Sequence, residues 1–165
     1  MRFHLEHTFD APLGAVEDAM VDPEFLESTR LPDVGPPKVL SRDEAADTVA
    51  LRVNYQYTGS LDALARRVLR TGDVAWVQET TLDRRTHHTR FTVTPKVHAD
   101  RFQCGGTMQL SENGAVTERV IDGELKIKVP LLGSRAEGLI VPGLRSRMSR
   151  EAELLDEWLK AHPAG

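Results

Sequence analysis

Polar and apolar residues alternate through Arg2-Phe3-His4-Leu5-Glu6-His7-Thr8-Phe9, the period of a strand with one face turned inward. Asp10 and Pro12 then supply a cap and a first-turn residue for a short helix carrying Val16, Ala19 and Met20 on one face. Asp22-Pro23 repeats that signal for a second helix through about Thr29, and Leu31 to Pro37 breaks all periodicity. A short strand is predicted over Lys38–Arg42. A longer one follows, with Val49, Leu51, Val53, Tyr55 and Tyr57 sharing a face.

Ser60 is placed to cap a helix over Leu61–Leu69, which Thr71-Gly72-Asp73 would end. Four strands follow in an antiparallel meander, Val74–Leu82, His88–Val97, Arg101–Leu110 and Val116–Val129, joined by short links that include the hairpin signal Asn113-Gly114. Inward positions are Trp76, Gln78 and Leu82 on the first, Phe91 and Val93 on the second, and Phe102, Cys104, Met108 and Leu110 on the third. The fourth contributes Arg119, Ile121, Leu125, Ile127 and Val129.

Beyond Pro130 the period changes to that of a long helix ending near Leu159, in two unlike halves. Leu132, Ala136, Leu139, Ile140 and Gly143 form one stripe. Leu144, Met148, Ala152, Leu155 and Leu159 form another, rotated by roughly a quarter turn or more. Pro142 lies between them and removes an interior hydrogen bond, so a kink or break is expected there, with Leu131–Val141 as the more mobile half gating whatever lies beneath.

At 165 residues the chain fits one domain, 1–165, and a charge of −4 with interspersed signs offers no footprint for nucleic acid or an anionic membrane. No run of about 18 apolar residues suggests a span or a leader, which points to a cytoplasmic protein without membrane insertion. Cys104 is the single cysteine, which excludes an internal disulfide and a cysteine-based zinc site.

The order of elements, together with the segments LPDVGPPKVLSR, WVQETTLD and GELKIKVPLLGSRAEGLIVPGLRSRMSREAELLDEWL, resembles the START-like, or SRPBCC, superfamily, and within it an uncharacterised actinobacterial branch, a domain of unknown function. The resemblance implies an α+β helix-grip fold, a curved seven-stranded antiparallel sheet around a long carboxy-terminal helix, with two short helices after the first strand; the extra helix near 61–69 and Pro142 depart from that pattern. It implies binding or carriage of a small hydrophobic ligand, lipid, sterol-like or aromatic, in a cavity between sheet and helix. Two alternatives stand beside it: an enzyme of the polyketide cyclase, aromatase or dehydratase type using that cavity, and a co-chaperone-like interaction module.

The expected lining combines the inward positions with the helix: His7, Tyr55, Tyr57, Trp76, Gln78, Phe91, Cys104, Met108, Arg119, Leu125, Ile127, Leu139, Ile140, Leu144 and Met148. No catalytic motif, metal-ligand set or cofactor loop is present in the sequence, so the expected partner is a small apolar molecule, bound by a monomer or weak homodimer. His87 and His88 point to opposite faces of a strand and suit a turn edge. His7 fits either a satisfied core histidine or a base, and Cys104 a buried thiol. Arg119, if inward, must be paired or face water or a ligand's anionic group. The arginines between Arg145 and Arg150 suit a solvated helix surface.

Overall fold

The computed structural model describes residues 1–69 and 74–163. Its strands are β1 (Arg2–Phe9), β2 (Lys38–Ala45), β3 (Thr48–Tyr57), β4 (Val74–Asp83), β5 (His88–Pro95), β6 (Phe102–Asn113) and β7 (Val116–Ile127). The helices are α1 (Leu13–Met20), α2 (Pro23–Ser28), α3 (Ala63–Leu69) and α4 (Gly133–Ala161). All seven strands form one antiparallel sheet in the order β1-β7-β6-β5-β4-β3-β2, so every link from β2 to β7 joins neighbours and β1 closes onto the last strand. This is the helix-grip fold.

Local chemistry accounts for most boundaries. The Asp22 carboxylate accepts from the Glu24 N–H at 2.8 Å with Pro23 in the first turn, so α2 starts where its cap dictates. Helix α1 begins after Pro12 with no side-chain cap, and Asp10 instead uses its own N–H to reach Asp156 on α4. Asp62, not Ser60, caps α3, accepting from the Ala65 N–H at 2.7 Å; the helix therefore opens two residues later than its apolar spacing suggests. The expected stop at Thr71-Gly72-Asp73 lies outside the described residues. The β6–β7 hairpin turns on Gly114-Ala115, one residue beyond the Asn-Gly pair, with Gly114 at φ 65° in the first turn position where a II′ turn needs glycine.

Pro142 does not break α4. Its side chain is exposed, and the helix runs through it without interruption. The phase of the second half then governs the first: Val141, Met148, Ala152, Leu155 and Leu159 are all buried. Leu139 stands nine residues from Met148, about 180° around a helix, and is 53% exposed. The half expected to act as a gate makes contacts of its own. Ala136 and Val141 are buried, and the Glu137 carboxylate accepts from the Ile127 N–H at the end of β7, at 2.8 Å.

Helix α3 packs on α4, with Val68 buried in the same apolar cluster as Phe91, Met108, Ile121, Leu125 and Met148. At the other end of α4, Leu155 and Leu159 pack with Phe9, Leu13, Val16, Phe25 and Leu51. Helix α3 thus covers the sheet beside the long helix.

Candidate functional site

The strand register orders the concave side chains into rows. One row, Val49-Leu82-Thr89-Met108-Ile121-Leu5, is buried throughout. Two steps along the strands, the row Val53-Gln78-Val93-Cys104-Leu125 is buried at both ends and partly exposed at its three central members. A side chain that projects to the same face as a packed core yet keeps exposure borders open space. Half-buried Leu64, Phe102, Ile140 and Leu144 pack in the same apolar cluster as Val93 and Cys104, which marks the space between the sheet floor and the α3–α4 roof as the candidate cleft.

Two groups of polar side chains lie on the inward side of the sheet. Arg147 on α4 reaches across the Tyr55–Trp76 stack, its guanidinium carbon 5.1 Å from the Tyr55 centroid and 5.6 Å from that of Trp76, while the two rings lie 5.4 Å apart and nearly parallel. Its Nη2 donates to Gln78 Oε1 at 3.5 Å. Farther along the sheet, Arg119, 3% exposed, lies over the Phe9 ring at 5.1 Å and donates from Nη2 to His7 Nδ1 at 3.1 Å. Glu151, one turn beyond Arg147, stands within electrostatic range of both Tyr55 and Arg119.

Burial dominates the titration of these groups. It pulls the Arg119 guanidinium down to about 10, against the stabilising charge of Glu151, and leaves it a cation at neutral pH. It lowers His7 to about 4, with Arg119 adding to the effect, so the imidazole is neutral. Burial also raises the Tyr55 hydroxyl and lifts the Cys104 thiol to about 11.

Because arginine can only donate, His7 Nδ1 must accept, and the imidazole proton sits on Nε2. That Nε2 is buried with no protein partner, as are Arg119 Nε, Trp76 Nε1 and Arg147 Nη1. Each such group costs on the order of 1–3 kcal/mol when left unpaired.

The expected lining residues divide by place. Gln78 and Cys104 are in the partly exposed row, Ile140 and Leu144 are half-buried above it, Trp76 and the buried Tyr55 lie under Arg147, and His7 pairs with Arg119. Phe91, Met108, Leu125, Ile127 and Met148 pack in the apolar cluster behind it. Leu139 is on the outer face of α4, for the helical phase given above. Tyr57 turns toward the β3–α3 link, its hydroxyl donating to the Ser60 carbonyl at 3.3 Å.

Arg147 and Glu151 are absent from the sequence expectation, which assigned this arginine cluster to solvent. Their three- and four-residue offsets from Leu144, Met148 and Leu155 are the signal that places them on the flank of the buried stripe. His87 is at a turn as expected, with φ 56°, but its Nδ1 pairs with the buried Glu17 carboxylate at 2.7 Å.

Two open grooves lie apart from the cleft. One of about 780 Å³ passes Gly105, Gly106 and Gly123. The other, about 470 Å³, runs beside Leu13, Glu17, His87 and Leu110. Among the described residues no set of three or more His, Cys, Asp or Glu side chains is arranged to hold a metal, and no helix is long and apolar enough to cross a membrane.

Residues 4–159 match the family described as Protein of unknown function (DUF2505). The chain belongs to this family. No curated protein matches it in sequence. Among solved structures it is similar to TTHA0849 from Thermus thermophilus, with TM-score 0.73 and 19% identity over 99% of this chain and 100% of that one. It is similar to Ara h 8.0201, with TM-score 0.68 and 10% identity over 98% of each chain. The Zhui aromatase/cyclase from Streptomyces sp. R1128 is also similar, with TM-score 0.65 and 12% identity over 100% of this chain and 98% of that one. At these identities the likeness of the DUF2505 chain to its neighbours is one of fold, and it places the chain among helix-grip proteins.

Proposed function

We propose that the protein binds or carries a small hydrophobic molecule in the cleft between its sheet and α4. The observation that carries this reading is the row Val53-Gln78-Val93-Cys104-Leu125, packed at its ends and open at its centre. A concave, mostly apolar surface with a few directed polar groups is the usual form of a small-molecule site.

Binding is favoured over proton-transfer chemistry by the state of the titratable groups. General acid–base catalysis works best with a group whose pKa lies near the operating pH. His7, Cys104 and Tyr55 are all held well away from neutrality, and Arg119 stays charged. A similar structure bears the name aromatase/cyclase, and the same scaffold supports many activities, so the cleft residues rather than the fold carry the choice.

The test is exposure of the purified protein to a lipid and aromatic extract, followed by washing and mass spectrometry of what is retained. A stoichiometric apolar compound, lost when Val93 is replaced by Trp to fill the cleft, is expected. Retention unaffected by Val93→Trp would place the molecule elsewhere and overturn the reading.

A further inference from the structure

The buried atoms without a protein partner around the cleft share one chemical character. Arg119 Nε, Arg147 Nη1, Trp76 Nε1 and His7 Nε2 are N–H groups, and each can satisfy itself only on an acceptor. The Nε2 assignment follows from geometry, since Nδ1 is taken by the Arg119 donor. They belong to four different elements, β7, α4, β4 and β1, so their common lack is a property of the place and not of one distorted segment.

The charges point the same way. Arg119 lies on the inward face of β7, where Glu151 acts on it at longer range, and Arg147 reaches the sheet at Gln78 from α4; no carboxylate makes a hydrogen bond to either arginine among the described residues. With His7 neutral, neither cation has an anionic partner in contact among the described residues. Natural interiors seldom keep an uncompensated cation and four orphan donors unless something completes them.

We propose that the ligand is an acidic hydrophobe, an apolar ring system or chain bearing one anionic oxygen group such as a carboxylate or enolate, whose charged end is held by Arg147 and Arg119 with Trp76 and His7 as neutral donors. This rests on the hydrophobic-ligand reading above and specifies its head group. Arginine offers paired N–H groups to such an anion in planar geometry, and a guanidinium already lying over aromatic faces loses little freedom when it binds. The apolar body would rest on Val93 and Cys104 at the open centre of the sheet, beneath Leu144 of α4.

A matched pair of fluorescent probes separates the two layers. N-phenyl-1-naphthylamine and 8-anilinonaphthalene-1-sulfonate share one ring skeleton and differ by the sulfonate. At about 0.1 M salt, where distant surface charges are largely screened, the sulfonate is expected to bind the folded protein about ten- to hundredfold more tightly, the usual worth of a charge-assisted hydrogen bond. Arg147→Met and Arg119→Met should each remove most of that preference, read as the ratio of the two probes' affinities in the same variant. Arg135→Gln, at an exposed position on α4, should alter neither.

Equal binding of both probes would overturn the acidic-ligand inference while the hydrophobic reading stands. A sulfonate preference that survives both interior variants would mean capture by surface charge, and would overturn it likewise. If neither probe binds, the hydrophobic reading fails and takes this inference with it. The probe ratio in the unaltered protein keeps the test decisive even where Arg119→Met does not fold.

Discussion

Arg119 on β7 and His7 on β1 are register partners, and the guanidinium Nη2 donates to the imidazole Nδ1 at 3.1 Å. Burial and the adjacent charge hold His7 at about 4, against 6.5 in an unfolded chain. Between those values the unfolded chain takes up a proton that the native state refuses. Stability is therefore fully present above pH 6.5 and falls as the pH drops toward 4. With allowance for the partial exposure of His7, the loss is on the order of 2 kcal/mol. Urea unfolding at pH 7 and pH 4.5 should show the unaltered protein losing that much more than His7→Leu; identical losses would exclude the linkage.

Cys104 sits at the open centre of the sheet, yet its thiol is raised to about 11 from 9.0 by burial, with Arg147 pulling weakly the other way. Since the thiolate is the reactive form, its population at pH 8 is about a hundredfold below that of an ordinary thiol. Reaction with an aromatic disulfide reagent should be slowed in that proportion, and slowed again by the sulfonate probe. Labelling at the rate of a free thiol would show Cys104 to be solvated.

Gly106 and Gly123 oppose each other across β6 and β7 in the row that includes Phe3 and Phe91. A Cβ on Gly106 would collide with the Asp122 carbonyl and with the Gly123 Cα at 2.6 Å, both backbone; one on Gly123 would meet the Phe3 ring. Rings can shift where main chain cannot. Gly106→Ala should cost about 3 kcal/mol and Gly123→Ala nearer 1 kcal/mol in chemical denaturation. The opposite order would show that the two strands separate more easily than Phe3 moves.

Glu137 pins the first half of α4 by accepting from Ile127, the backbone hydrogen bond that is the leading cause of its lowered carboxyl pKa. Glu137→Ala should speed amide exchange in residues 133–141 while residues 148–159 stay protected. Uniform acceleration along α4 would show that the helix opens as one unit.

Glu17 on α1, almost fully buried, accepts from His87 Nδ1 at 2.7 Å and lies 3.8 Å from the Arg84 guanidinium. Glu17→Leu should destabilise the protein by about 1–3 kcal/mol, the range for losing charge-assisted hydrogen bonds. Thermal denaturation indistinguishable from the unaltered protein would mean that this contact is replaced by water at no cost.

The parts of the cleft that were legible in the sequence are those on strands. Period-two alternation puts His7, Gln78, Cys104 and Arg119 on the inward face without reference to any other element, and the structure finds all four there. The parts that were not legible are on α4. Its two apolar stripes disagree in phase, and nothing local says which wins. Burial against Phe9, Leu51 and Phe25 decides for the second stripe, which turns Leu139 to solvent and carries Arg147 and Glu151 inward.

The sequence alone determined the order and type of the elements, the strand faces and the cap of α2, because alternation and capping act over a few neighbouring residues. Tertiary structure decided the rotation of α4, the continuity of that helix through Pro142, and the meeting of two arginines, an indole and an imidazole with their donors unpaired. Those outcomes depend on packing between residues far apart in the chain, where the burial of whole stripes outweighs the preference of any single residue.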